Sequence, residues 1–142
     1  MIKKIKVKFV NKGNSIIPVK KYKNIVDNKF PIYKDNKGKS GVYRLNNMIT
    51  GESYIGSSAN LGCRLRYYFS DRFLKREILR SNSLMCRALV KDGLSKFSLK
   101  ILCYCDCDKT SIVNKEQFYI DLLEPEFNIY RKASSSLSCV IK

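Results

Sequence analysis

The sequence predicts an α+β domain, a small sheet with helices beside it, and three observations carry that expectation. Gly41-Val42-Tyr43 and Tyr54-Ile55-Gly56 are two short aromatic stretches separated by turn-forming residues. Phe97, Leu99, Ile101 and Cys103 alternate with Ser98, Lys100 and Leu102, the period-two pattern of a half-buried strand. Apolar residues with helical spacing follow the hairpin and recur before and after that strand. At 142 residues the chain is one domain's worth, long enough to bury a core but not to hold two.

The hairpin comes from its turn chemistry. Asn46-Asn47 and Thr50-Gly51 lie between the aromatic stretches; Asn tolerates a positive φ and Gly has no Cβ to forbid one. Two antiparallel strands are therefore expected, with Tyr43 close to Tyr54. Glycines beside the tyrosines leave room for a backbone or a phosphate to approach. An ordinary hairpin whose tyrosines pack on a core fits the same spacing.

Residues 1–40 carry twelve lysines against Asp27 and Asp35 alone. Ile5, Val7 and Phe9 alternate with lysines and suit an edge strand. Pro18, Pro31 and Asn36-Lys37-Gly38-Lys39 interrupt any longer element, so a basic, partly ordered arm is expected over residues 1–37. After the hairpin, Asn60 caps a helix whose Leu61, Leu65, Tyr68 and Phe69 form an apolar stripe with Arg64 at its border. From there the Arg64 guanidinium can reach toward the tyrosines. A basic run with Arg66, Arg72, Lys75, Arg76 and Arg80 continues downstream. A second helix begins at Asn82 or Ser83 and stops near Asp92-Gly93. A third opens at Asp108–Ser111 and ends by Glu124-Pro125, because the residue before proline is pushed out of the α region.

Charge bounds the partners. The formal net charge is +16, which attracts polyanions, nucleic acid first and an anionic membrane surface second. No apolar run is long enough to span a bilayer, and no apolar stretch follows the basic N-terminus, so secretion is not expected. The six cysteines show no paired framework. Cys103, Cys105 and Cys107 would share one side of an extended strand, which leaves zinc conceivable; reduced, unliganded thiols are the better reading.

Glu116 is the anomaly. On the third helix it lies in the middle of the apolar arc of Ile112, Val113, Tyr119, Ile120 and Leu123, where a carboxylate is costly unless a cation compensates it. Three readings stand: it rims the core, it pairs with an arginine such as Arg64, or it is an inward-facing metal ligand.

Taken together, Gly41-Val42-Tyr43, ten residues, Tyr54-Ile55-Gly56, Arg64 on the next helix, Glu116 in Lys115-Glu116-Gln117-Phe118-Tyr119 and Asn128 in Glu126-Phe127-Asn128-Ile129 resemble the GIY-YIG nuclease family. Lys39-Ser40-Gly41-Val42-Tyr43-Arg44 and Tyr54-Ile55-Gly56-Ser57-Ser58-Ala59-Asn60-Leu61 resemble, more narrowly, the intron-encoded homing endonucleases of fungal mitochondria. The resemblance covers residues 38–137 as a catalytic domain, after the arm at 1–37 and before a short tail at 138–142. It implies a three-stranded antiparallel sheet flanked by helices with the site on one face, and hydrolysis of a DNA phosphodiester with one divalent cation, magnesium or another. By position, Tyr43 would take the proton of the attacking water and Tyr54 would orient that water or the phosphate. Arg64 would stabilise the charge developing on the phosphorane, Glu116 would bind the metal, and Asn128 would order its loop. Arg44, Arg66, Arg72, Lys75 and Arg76 would contact DNA. A monomer acting on double-stranded DNA in mitochondria is expected, with no membrane insertion.

The sequence departs from the family's pattern in three places. Val42 stands where isoleucine is usual, a change of one methylene. With no histidine in the chain, any base must be a tyrosine or a metal-bound water. Homing relatives continue into small helical DNA-binding modules, whereas only Ser138-Cys139-Val140-Ile141-Lys142 follows here, so the specificity domain is expected to be missing and DNA binding to be indiscriminate. The alternatives are an inactive nucleic-acid-binding remnant, a maturase-like binder of intron RNA, and a basic structural protein of a ribonucleoprotein particle.

Overall fold

A computed structural model describes residues 17–128. Four strands and five α-helices follow one another as β1 (Lys20–Tyr22), α1 (Lys29–Asn36), β2 (Gly41–Asn47), β3 (Ser53–Ser58), α2 (Leu61–Tyr67), α3 (Asp71–Ser81), α4 (Leu84–Asp92), β4 (Phe97–Tyr104) and α5 (Lys109–Leu123), with a 3₁₀ turn at Leu94–Lys96. The sheet is antiparallel with strand order β1-β4-β2-β3. It has four strands rather than three, because Lys20–Tyr22, inside the stretch read as the basic arm, pairs with β4 from Lys20↔Ile101 to Tyr22↔Leu99. The alternation of Ile5, Val7 and Phe9 lies outside the described residues.

The hairpin forms as its residues dictate, by a different device at the asparagines. Asn47 keeps an ordinary backbone, and its side-chain oxygen accepts from Ile49 N at 2.9 Å and Thr50 N at 3.4 Å, while Gly51 takes the positive φ of 83°. Asn60, Ser70, Ser83 and Asp108 each cap a helix by accepting a backbone N–H three residues on; such a cap is typically worth about 1 kcal/mol. The Ser70 cap starts α3 as a separate helix in what reads from sequence as a continuous basic run. Pro31 does not break α1. It is the third residue of that helix, where its missing N–H costs no intrahelical bond.

Two apolar clusters sandwich the sheet. Tyr43, Leu45, Leu99 and Ile101 pack with Leu61, Leu65 and Tyr68 on one side, and Val42, Ile55 and Leu102 pack with Ile120 of α5 on the other. The β2–β4 ladder carries an irregularity between Val42 and Tyr43, and Gly41 sits beside it. A Cβ at Gly41 would lie 2.2 Å from the carbonyl oxygen of Cys103, a backbone atom of a central strand. Gly41→Ala is therefore expected to separate β2 from β4 and lower stability by about 1–3 kcal/mol or more, read as a lower denaturation midpoint; an unchanged midpoint would refute the close approach.

The cysteine row dissolves in the fold. β4 ends at Tyr104, so Cys105 and Cys107 lie beyond the strand. Among the described residues no three His, Cys, Asp or Glu side chains come together as a metal site, and five cysteines are free thiols. No described helix is long and apolar enough to cross a membrane.

Candidate active site

Tyr43 is fully buried, and its hydroxyl is where three elements meet. It lies 2.7 Å from the Tyr68 hydroxyl at the end of α2, and Arg64 Nε donates to it at 3.5 Å. The Tyr43 ring is 6.3 Å from that of Tyr54 and 6.1 Å from that of Tyr68, centroid to centroid. The Arg64 cation is near enough to Tyr54 to offset part of the rise in its hydroxyl, and its guanidinium carbon stands 5.6 Å from the Tyr68 ring and 5.8 Å from the Phe73 ring, within cation–π range. A cleft of about 150 Å³ opens here, lined in part by Tyr54, Arg64, Tyr68, Phe73 and Glu77.

Gly56 makes this arrangement sterically possible. It pairs with Tyr43 across the hairpin, and a Cβ at that position would lie 2.5 Å from the Tyr43 hydroxyl and 2.9 Å from Cε2 of Tyr54. The bare backbone of the edge strand is the floor over which Tyr43 reaches Arg64.

Burial sets the protonation states. Desolvation raises the Tyr43, Tyr54 and Tyr68 hydroxyls above the usual tyrosine range, and the Arg64 cation only partly offsets it. Burial by itself lowers Arg64, but the three tyrosine oxygens around it outweigh this and hold it well above its ordinary value. At neutral pH the cluster is thus three neutral phenols around one fixed cation. It can donate hydrogen bonds to an anion and present positive charge from a half-buried position.

Glu116 lies across the edge strand from that cluster. Its helix, α5, packs against Val42 and Ile55 on the sheet face opposite Tyr43, so the expectation of a site on one face is corrected: the site straddles β3. Ile112, Glu116 and Ile120 are the buried residues of α5, one stripe at i, i+4 and i+8, and Glu116 is only 5 % exposed. Its Oε1 accepts a short hydrogen bond from the Ser57 hydroxyl, the residue after Gly56. The carboxylate is near enough to push the Tyr43 and Tyr54 hydroxyls further up. The two layers communicate here because β3 is an edge strand and Gly56 has no side chain. Among the three sequence readings of Glu116, rimming the core is excluded by its burial.

Asn128 closes the other end of β3. Its side chain accepts from Ile55 N and donates to Ile55 O, both at 2.9 Å, filling an edge that would otherwise be open. It holds the strand at the residue next to Tyr54.

The basic residues divide. Arg72, Lys75 and Arg76 are exposed on α3; Arg76 stands over Phe73 at 5.6 Å, the ring Arg64 also approaches, and Lys75 pairs with Asp71 at 3.0 Å. Arg66 faces Tyr33 of α1 at 5.2 Å. Arg44 is not brought to the cluster: its register partner is Ile55, it bonds Ser53 Oγ at 3.1 Å, and it belongs to the α5 side of the sheet. Sequence reasoning passed over Tyr68 and Ser57. Tyr68 was visible as the residue four after Arg64, hence on its helical face, but read as core; Ser57 carried no signal beyond its place after Gly56.

An α+β fold with paired tyrosines, an arginine one helix on and a buried glutamate behind the edge strand defines a GIY-YIG nuclease domain. Residues 39–131 match the GIY-YIG catalytic domain, well over half of the chain, and the protein belongs to that family. Its fold is similar to a solved structure of the catalytic domain of the intron endonuclease I-TevI, in a glutamate-to-alanine mutant form, at 25 % identity and a TM-score of 0.57, covering 68 % of this chain and 99 % of that one. β1 and α1 precede the matched residues.

Proposed function

We propose that this protein is an endonuclease that hydrolyses phosphodiester bonds of double-stranded DNA with a divalent cation, of the intron-encoded homing type. The observation that carries the reading is the convergence of Tyr43, Tyr54 and Tyr68 on the Arg64 guanidinium in a cleft behind which a buried carboxylate is held. A structural core needs no unpaired-looking cation among phenols, and a binding surface alone needs no buried glutamate.

Arg64 supports the charge that grows on the non-bridging oxygens as water attacks, and being preorganised it does so without reorganisation cost. Tyr54 orients the water or the scissile phosphate. Tyr43 accepts the proton of the attacking water in its tyrosinate form, with the Tyr68 hydroxyl and the Arg64 guanidinium beside its oxygen. Glu116 fits a magnesium-like ion as one ligand among several, since such ions take one or two carboxylates and complete their shell with water and substrate phosphate oxygens. Once bound, the cation would neutralise phosphate charge and ease departure of the 3′ oxygen. The exposed cations of α2 and α3 would contact the backbone. A mitochondrial location is part of the same proposal and is tested by localising a tagged copy.

The test is incubation of purified protein with plasmid DNA, with and without magnesium, over a pH series. Because burial holds Tyr43 above its ordinary range, the tyrosinate fraction below pH 10 grows about tenfold per pH unit. The cleavage rate is expected to climb steadily from pH 6 to 9 and to lose that slope in Tyr43→Phe. A wild-type rate that levels off near neutrality would remove Tyr43 as the base; a wild type that cuts under no condition would remove the nuclease reading.

A further inference from the structure

We infer that a row of three cations on the sheet face away from the tyrosines, Lys21, Lys100 and Arg44, is a second binding site for nucleic-acid phosphate. Lys21 of β1 pairs in register with Lys100 of β4, and Lys100 pairs with Arg44 of β2. Residues directly opposite in a sheet project to the same face, so the three cations stand side by side across neighbouring strands spaced about 4.8 Å apart. They share the face of Val42 and Ile55, the one α5 partly covers, and not the face of Tyr43.

Like charges directly opposite one another destabilise a sheet, and this row contains two such contacts in succession. Neither lysine has an ion-pair partner among the described residues, whereas the adjacent Lys20, on the other face, pairs with Asp35 at 3.7 Å. Among the described residues, Glu126 near Arg44 is the acid whose charge bears on the row. Burial, Arg44 and Lys21 together pull Lys100 below its ordinary value, the signature of a cation lacking compensation. Lys21 is exposed and Lys100 half-buried, so an anion can reach them.

The occupant is a phosphate strand rather than a lipid surface. The neighbours in the next register row are Asn46 and Ser98, polar side chains that suit hydrated phosphates and offer nothing to acyl chains. The Arg64 cleft opens on the other face of the sheet, so the row contacts phosphates other than the one Arg64 would hold. Lys21 lies before the matched catalytic-domain residues, so β1 adds a cation to the sheet that the matched region itself does not contain. The identity of the polyanion rests on the proposed nuclease reading; the existence of the site does not.

The experiment compares wild type, Lys100→Met, Lys21→Gln with Lys100→Met, and Lys100→Arg. Binding of a short duplex of arbitrary sequence is measured against salt with divalent ions chelated, alongside thermal unfolding without DNA and cleavage at saturating DNA. The log–log salt slope is expected to fall by about 0.9 for each lysine removed and to be restored by Lys100→Arg. Lys100→Met should meanwhile raise the free protein's unfolding midpoint by about 2–4 °C, since it relieves both contacts, and cleavage at saturation should not change. A variant that is more stable yet binds less steeply is not what a purely structural lysine would give. An unaltered slope, or a lowered midpoint in Lys100→Met, overturns the proposal. Absence of cleavage by the wild type would count against the nuclease reading alone.

Discussion

Arg64→Ala is expected to lower the rate of DNA cleavage by on the order of a hundredfold to a thousandfold while leaving DNA affinity nearly unchanged. The guanidinium is the only cation beside the Tyr43 and Tyr54 hydroxyls among the described residues, so no neighbour can take over its role in the transition state. Affinity is spread over exposed cations such as Arg72 and Arg76, and backbone contacts of that kind are individually weak and numerous. Arg64→Lys should recover little, because an ammonium lacks the planar fork that bonds two oxygens at once. Glu116→Ala should cost a comparable factor, and with a different companion signal: the response to added magnesium should disappear, whereas Arg64→Ala should keep it. Cleavage that survives both substitutions would mean a different site or a contaminating nuclease.

Gly56→Ala is expected to abolish most activity without unfolding the domain. The added methyl would sit 2.5 Å from the Tyr43 hydroxyl, 2.6 Å from Tyr43 Cζ and 2.9 Å from Cε2 of Tyr54, so both phenols must move. A displacement of about 1 Å in a reacting group costs on the order of a hundredfold in rate, and here two are displaced together beside Arg64. The stability penalty should lie at the low end of the overpacking range, about 1 kcal/mol, because the atoms that give way are side-chain atoms beside a cleft and not the backbone of a central strand. The comparison with Gly41→Ala separates the two roles of glycine: one chiefly lowers the denaturation midpoint, the other keeps its circular dichroism and loses kcat. Wild-type rates in a folded Gly56→Ala protein would show that Tyr43 does not act from the position described.

Local chemistry was legible in this chain wherever a residue acts on its own neighbours. The hairpin follows from Asn47 and Gly51, α2 from the Asn60 cap, the end of α5 from Glu124-Pro125, and the inward direction of Glu116 from its place between Ile112 and Ile120; each is decided within one or two turns of backbone. The reach of Arg64 toward Tyr43 was also readable, because only two residues separate the hairpin from helix α2.

Tertiary structure decided what depends on partners distant in sequence. That Lys20–Tyr22 completes the sheet could not be read from three residues, since a strand that short is stabilised by the β4 edge it meets and not by its own pattern. Tyr68 had the spacing of a core residue and is one; only the packing of the end of α2 against the hairpin turns its hydroxyl into the partner of Tyr43. The sequence alone made Glu116 inward-facing, but inward toward either side of the sheet. Its place behind Ser57, in a different layer from the tyrosines, was set when α5 packed on Val42 and Ile55, because burying that apolar stripe against the open sheet face outweighs the cost of one carboxylate that finds a hydroxyl to bond.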